Sequence, residues 1–157
     1  MPHAARPASS TFAPRNPDWE ATVRGSFARQ KVMNLIAAEM GALSPGHCEI
    51  RLPFRDDLTQ QNGYFHAGIT STIVDSAGGY AGLTLMPPGA EVLTVEFKLN
   101  LLAPADGEYL VAEGQVLKSG RNLVITRGEV YAIKNGRATH CATMQQTLMT
   151  MHPKEKT

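Results

Sequence analysis

A single carboxylate, Asp75, stands in the run Gln60–Leu83, QQNGYFHAGITSTIVDSAGGYAGL, whose other residues are small, apolar or uncharged and read as a buried helix. An unpaired carboxylate in such a place is costly. The cost is tolerated where the charge is hydrogen-bonded into the structure or used for chemistry. Ahead of it, His66-Ala67-Gly68 reads as the start of the helix, where free N–H groups and the helix dipole favour developing negative charge. A base or nucleophile and a donor for a reacting carbonyl are thus encoded in one segment. At the usual helical rise, however, Gly68 and Asp75 lie about 10 Å apart along the axis, too far to act on one carbonyl. A two-fold dimer that places Asp75 of one chain near the helix start of the other would bring them together. The plain alternatives stay open: Asp75 as a capping carboxylate and His66 as no more than a helix-start residue.

The helix reading rests on Ile69, Ile73 and Ala77 at four-residue spacing, with Thr70, Val74 and Ala81 beside them. Its intrinsic propensity is poor, because Gly78, Gly79 and Gly82 each cost up to about 1 kcal/mol relative to Ala and Thr70, Thr72, Ile73 and Val74 are β-branched. Packing inside a sheet or against a partner subunit must hold it. Four strands are predicted downstream, over Glu91–Leu102, Tyr109–Lys118, Asn122–Lys134 and Arg137–Met151, with turns at Pro104–Gly107, Ser119-Gly120 and Asn135-Gly136. Upstream, Asp18 or Pro17 opens a helix carrying Trp19, Val23 and Phe27, and His47–Phe54 alternates as a strand. Val32–Ser44 fits helix or strand. The sum is an α+β fold, an antiparallel sheet wrapped around a Gly-rich helix.

With 157 residues, 43% hydrophobic and 18% charged, the chain suits one ordinary globular core. We expect an arm over residues 1–17, one domain over 18–151 and a tail over 152–157. The arm is rich in Pro, Ala, Ser and Arg; this weakly resembles an organelle transit segment but lacks its amphipathic pattern, and a cytoplasmic location is expected. The net charge of +1 argues against a nucleic-acid partner, and no apolar run suggests a membrane span or signal-peptide core. Cys48 and Cys141 read as buried thiols. His47, His140 and His152 are too irregularly spaced for a metal site, and His3 falls in the arm.

Several motifs in order give the chain a relative. Gln60, Gln61 and Asn62 precede a Gly; His66-Ala67-Gly68 follows, with Asp75 nine residues after His66; then come LTVEFKLNLLAPA from Leu93 to Ala105 and the pair Gly120-Arg121. Over about Phe27 to Met149 this resembles the acyl-CoA thioesterases of the hotdog fold, in their PaaI-like (phenylacetic acid degradation) branch. The resemblance implies hydrolysis of an acyl- or aryl-CoA thioester, with no cofactor beyond the coenzyme A of the substrate, by a homodimer or a homotetramer built as a dimer of dimers. It makes Asp75 the nucleophile or general base and the Gly68 N–H the donor to the thioester carbonyl. His66 would order the helix start and substrate, and Thr94 would be the hydroxyl of the next strand. It also makes the second half of Val32–Ser44 a strand. Relatives often carry Asn six residues before the His; Gln60 stands there, so Gln60, Gln61 or Asn62 takes the amide role. Ala67 replaces a more usual Gly. Lys118, Gly120 and Arg121 are candidates for the coenzyme A phosphates, and Tyr64, Phe65, Tyr80 and Met86 for an acyl pocket or, equally, for core and interface packing. A non-catalytic acyl-CoA binder and a hotdog hydratase or dehydratase are the alternatives.

Overall fold

The computed structural model describes residues 12–153; of the expected arm and tail, residues 1–11 and 154–157 lie outside the described residues. The predicted helix forms as α3 (Ala67–Leu83), and every residue from Ser76 to Leu83 is buried. A helix buried all round is a core element, which explains how so weak a helix former is held. It lies against a six-stranded antiparallel sheet of β1 (Glu39–Ser44), β2 (His47–Pro53), β3 (Glu91–Leu101), β4 (Tyr109–Ser119), β5 (Leu123–Lys134) and β6 (Arg137–Met151), in the order β1-β2-β4-β5-β6-β3. Strands β4, β5 and β6 alternate as a half-buried sheet should, turning Leu110, Ala112, Val124, Val130, Met144 and Leu148 inward.

Missing side chains set the closeness of helix and sheet. Gly114 of β4 lies directly on the backbone of Ala77 and Gly78, and Gly78 in turn lies beneath the side chains of Gln146 and Thr126; a Cβ at either glycine would overlap these atoms. Gly78 and Gly82 of α3 are therefore explained by the sheet of its own chain, whereas a Cβ at Gly79 would meet nothing within 4 Å.

Strand β3 is the exception to burial. Among the described residues it pairs only with β6, and Leu93, Val95, Phe97 and Leu101 are each about half exposed. A long apolar strand with one unpaired edge is a template for further strand pairing.

Local signals explain the remaining boundaries. The ambiguous Val32–Ser44 divides between both readings: α2 (Lys31–Ile36) ends where Ala37 adopts left-handed angles (φ 58°, ψ 36°), and β1 begins at Glu39. Asn135 and Gly136 both have positive φ, 50° and 72°, as a tight hairpin between paired Lys134 and Arg137 requires. The arm boundary needs correction. Arg15 Nε donates to the Leu85 carbonyl (2.8 Å), and buried Asn16 donates to Thr22 Oγ1 (3.0 Å) while accepting from the Asp18 N–H (2.9 Å). Residues 12–17 are thus tied to the domain. Asp18 occupies the N-cap of α1 (Trp19–Arg29) without a side-chain cap bond. Cys48 and Cys141 are free and buried, and burial pushes their thiols up to about 12 and about 11. They are unreactive at neutral pH.

Candidate active site

The side chain of Asp75 faces the start of β3. Thr94 Oγ1 donates to Asp75 Oδ1 at 2.7 Å. A second donor reaches the same oxygen from the next strand: Gln146 Nε2 lies 2.8 Å from Oδ1 and 3.3 Å from the Asp75 backbone carbonyl. Gln146 Oε1 accepts from Thr126 Oγ1 at 2.9 Å. Asp75 Oδ2 accepts no hydrogen bond among the described residues. A one-residue shift in the pairing of β3 with β6 falls between Thr94 and Glu96. Bulges of this kind re-aim side chains beside active sites.

The expectation of a sealed carboxylate is corrected: Asp75 is half-buried in the single chain. It lines a cavity of about 710 Å³ between α1, α3 and the start of β3, together with Ser26, Gln30, Ser76, Tyr80 and Thr94. Tyr80 donates its phenol to Gln30 Oε1 (3.3 Å), and Gln30 Nε2 donates to Ser76 Oγ (3.3 Å). Burial raises the Tyr80 phenol above its ordinary range, which keeps it a donor. An anchored carboxylate opening on a pocket of this size can act as a general base or nucleophile on a bound acyl group.

The helix start is closed on itself. His66 is the N-cap of α3, and its Nδ1 accepts from the Gly68 N–H at 2.8 Å, while the N–H groups of Ile69 and Thr70 bond the His66 carbonyl. Such a cap is worth about 1 kcal/mol. The expectation of a free Gly68 donor is corrected accordingly: the N–H is exposed but held by the imidazole, and a substrate oxygen would have to take its place.

The other expected residues divide. Gln60 Oε1 accepts from the Asn62 N–H, and the Gln60 N–H bonds the Tyr64 carbonyl (2.9 Å), so these amides shape the turn before α3. Phe65 is not a pocket residue: it is buried in the core with its ring edge-on to Phe54 at 5.5 Å. Tyr64 and Met86 do not line the cavity either, whereas Tyr80 does. Lys118, Gly120 and Arg121 lie at the β4–β5 turn, where Gly120 and Arg121 border a separate hollow with Phe12 and Arg15. In the single chain this hollow is not part of the Asp75 cavity.

Gln146 and Thr126 are site residues not anticipated from the sequence. Their signal was present as two polar interruptions in the inward-facing alternation, Ala142-Met144-Gln146-Leu148 on β6 and Val124-Thr126-Gly128-Val130 on β5. Among the described residues no group of three His, Cys, Asp or Glu side chains could hold a metal, and no helix is long and apolar enough to cross a membrane.

Comparison with known proteins agrees with this geometry. The thioesterase superfamily profile matches residues 62–139, from the turn before α3 to the start of β6. A crystal structure of a thioesterase family protein from Silicibacter pomeroyi is 46% identical and superposes with a TM-score of 0.85, covering 86% of this chain and 99% of that one. Acyl-coenzyme A thioesterase 13 of Homo sapiens is 31% identical over 84 residues, 53% of this chain and 59% of that protein. The PaaI protein of the E. coli phenylacetic acid degradation operon, at 13% identity, shares the fold with a TM-score of 0.77 over 88% of this chain and 96% of its own. The antiparallel sheet wrapped around α3 is the hotdog fold, and the chain belongs to the thioesterase superfamily.

Proposed function

We propose that the protein hydrolyses an acyl-CoA thioester to the free acid and coenzyme A, with Asp75 as the reacting group. The observation that carries this is the Asp75 carboxylate, tethered through Oδ1 by Thr94 and lining a cavity large enough for an acyl chain or ring. Asp75 either attacks the thioester carbonyl, expelling the thiolate and leaving a mixed anhydride that water cleaves, or takes a proton from the water that attacks. The thiolate is a good leaving group and takes its proton from solvent. The carbonyl oxygen is received by the Gly68 N–H, displacing His66 Nδ1, so the substrate exchanges one hydrogen bond for another and the gain lies in the stronger bond to the developing oxyanion. Gln60 and Asn62 hold the turn that presents this helix start.

The exposed edge of β3 supports a homodimer. Pairing β3 with the same strand of a second copy would cover Leu93, Val95 and Phe97 and bring the partner beside Thr94 and Asp75. The second helix start could then reach the Asp75 carboxylate, which solves the separation along α3. A dimer of dimers and a cytoplasmic setting belong to the same reading.

Incubation of the purified protein with a panel of acyl-CoAs and a thiol-reactive dye tests the reaction. Thiol release with turnover is the expected result, and the two buried cysteines add no background. Saturable binding without release would instead identify an acyl-CoA-binding protein. For the coenzyme, Arg121→Ala is expected to raise KM for CoA esters about 5- to 10-fold with kcat unchanged, and to leave a short thioester lacking the nucleotide unaffected, the pattern of lost uniform binding. Equal losses on both substrates would give Arg121 a structural role.

A further inference from the structure

Resting on the reading of Asp75 as the reacting carboxylate, we infer that Gln146 is a positioning residue for catalysis: it fixes which oxygen of Asp75 reacts. Gln146 is an uncharged amide, 1% exposed, on the inner face of a sheet whose neighbouring positions are apolar. A buried amide must find partners for both ends. The Asp75 carboxylate and backbone carbonyl can only accept, so Nε2 faces α3; Oε1 then faces the Thr126 hydroxyl, which donates to it. The orientation of the amide is thereby determined by chemistry at both ends.

Two elements are shaped around this one side chain. β5 supplies Thr126 directly across from Gln146 in register. α3 supplies Asp75, and three residues later Gly78, where an added Cβ would overlap Gln146 Oε1 and approach Thr126 Oγ1 to 2.9 Å. The space for the amide is therefore built by the absence of a side chain on the helix that carries the nucleophile.

The consequence falls on the soft torsion of the aspartate. Rotation of a carboxylate about its last bond is broad and roughly two-fold. Thr94 alone, from an edge strand, would hold Oδ1 by one bond; Gln146 adds a second from inside the sheet. With Oδ1 held twice, Oδ2 is the oxygen without a partner among the described residues, and the residue lines the cavity. An amide achieves this without cancelling the charge, as a Lys or Arg in its place would. Placement of a reacting atom to within an ångström can be worth about 10²-fold in rate.

The test uses the full-length protein and an acyl-CoA that the wild type hydrolyses. Gln146→Ala and Gln146→Met, the second nearly isosteric but without a donor, are expected to lower kcat about 10- to 100-fold with KM within about twofold. Gln146→Ala also lowers the melting temperature. Adding Gly78→Ala to Gln146→Ala places a methyl where the amide stood and removes a helix glycine, so the double variant should regain melting temperature while kcat stays low. A kcat that returns together with the melting temperature, or a Gln146→Met enzyme with wild-type kcat, would overturn the positioning role. Asp75→Asn measured alongside separates the two readings: if it is inactive while the Gln146 variants are normal, only the positioning inference fails, whereas a fully active Asp75→Asn overturns the catalytic reading as well.

Discussion

Asp75→Asn is expected to lose on the order of 10²-fold or more in kcat while keeping its fold and its affinity for coenzyme A. The substitution preserves size, and the Asn carbonyl can still accept from Thr94 and Gln146, the two donors that hold Oδ1. What it removes is the charge and the second basic oxygen, which no donor holds among the described residues. A purely structural Asp75 would behave differently: the melting temperature or assembly would change, and activity would fall only with the amount of folded protein. Mixing extends the test to the shared site. Asp75→Asn chains combined with Gly68→Pro chains, once the latter are shown to fold, should regenerate one intact site per heterodimer. Loss in the single variant without recovery in the mixture would keep Asp75 catalytic and discard the cross-subunit geometry.

Gly114→Val is expected to produce the largest loss of stability of any single substitution in the sheet, about 3 kcal/mol or more, lowering Tm by roughly 10 °C. Gly114 pairs with Cys48 on one side and Gly128 on the other, so β4 is fixed in the middle of the sheet. Its missing Cβ is the space occupied by the backbone of Ala77 and Gly78. A backbone cannot rotate aside as a side chain can, so the helix must lift off the sheet, separating Val74 and Leu83 from their neighbours. Gly79→Ala is the control within the same helix, since nothing lies within 4 Å of a Cβ there; it should gain up to about 1 kcal/mol from helix propensity alone. Thermal unfolding of the two variants beside the wild type checks both. A tolerated Gly114→Val would contradict the close approach of helix and strand.

The sheet was legible because its signals are local. β-Branched runs separated by Pro, Gly and Asn-Gly place the last four strands to within a residue at either end, Glu91–Leu101 against the expected Glu91–Leu102 and Tyr109–Ser119 against Tyr109–Lys118. The carboxylate was legible too, but its half-exposure was not: the residues that follow it on α3, Ser76 to Leu83, are all buried, and the cavity beside Asp75 is formed with α1 and the start of β3, which only the fold brings there. Gln146 was harder, because a Gln in a strand has no meaning until the register brings Thr126 beside it and Gly78 above it. Composition misled at the arm: its Pro- and Ala-rich stretch contains Arg15 and Asn16, whose partners Leu85 and Thr22 are visible only once the chain is folded. For Phe65 the sequence left pocket and core equally open, and the fold turns it into the core against Phe54. Neither outcome depends on nearest-neighbour preference; both are decided by contacts between distant segments.

The strand order has a consequence for the time course of synthesis. Thr94 lies on β3, yet among the described residues the strand that β3 pairs with is β6, the last of the described strands. On the ribosome, β3 emerges long before its neighbour exists, with β4 and β5 free to pair with each other in between. The hydroxyl that tethers the reacting carboxylate and the amide that orients it both wait for that final strand, since Gln146 itself lies on β6. The nascent chain therefore carries an apolar, unpaired segment from the completion of β3 at Leu101 until β6, which starts at Arg137, has been made, which makes this stretch a natural site for chaperone contact or misassociation. It also means that catalytic competence arrives last, in one step, when β6 docks between β5 and β3.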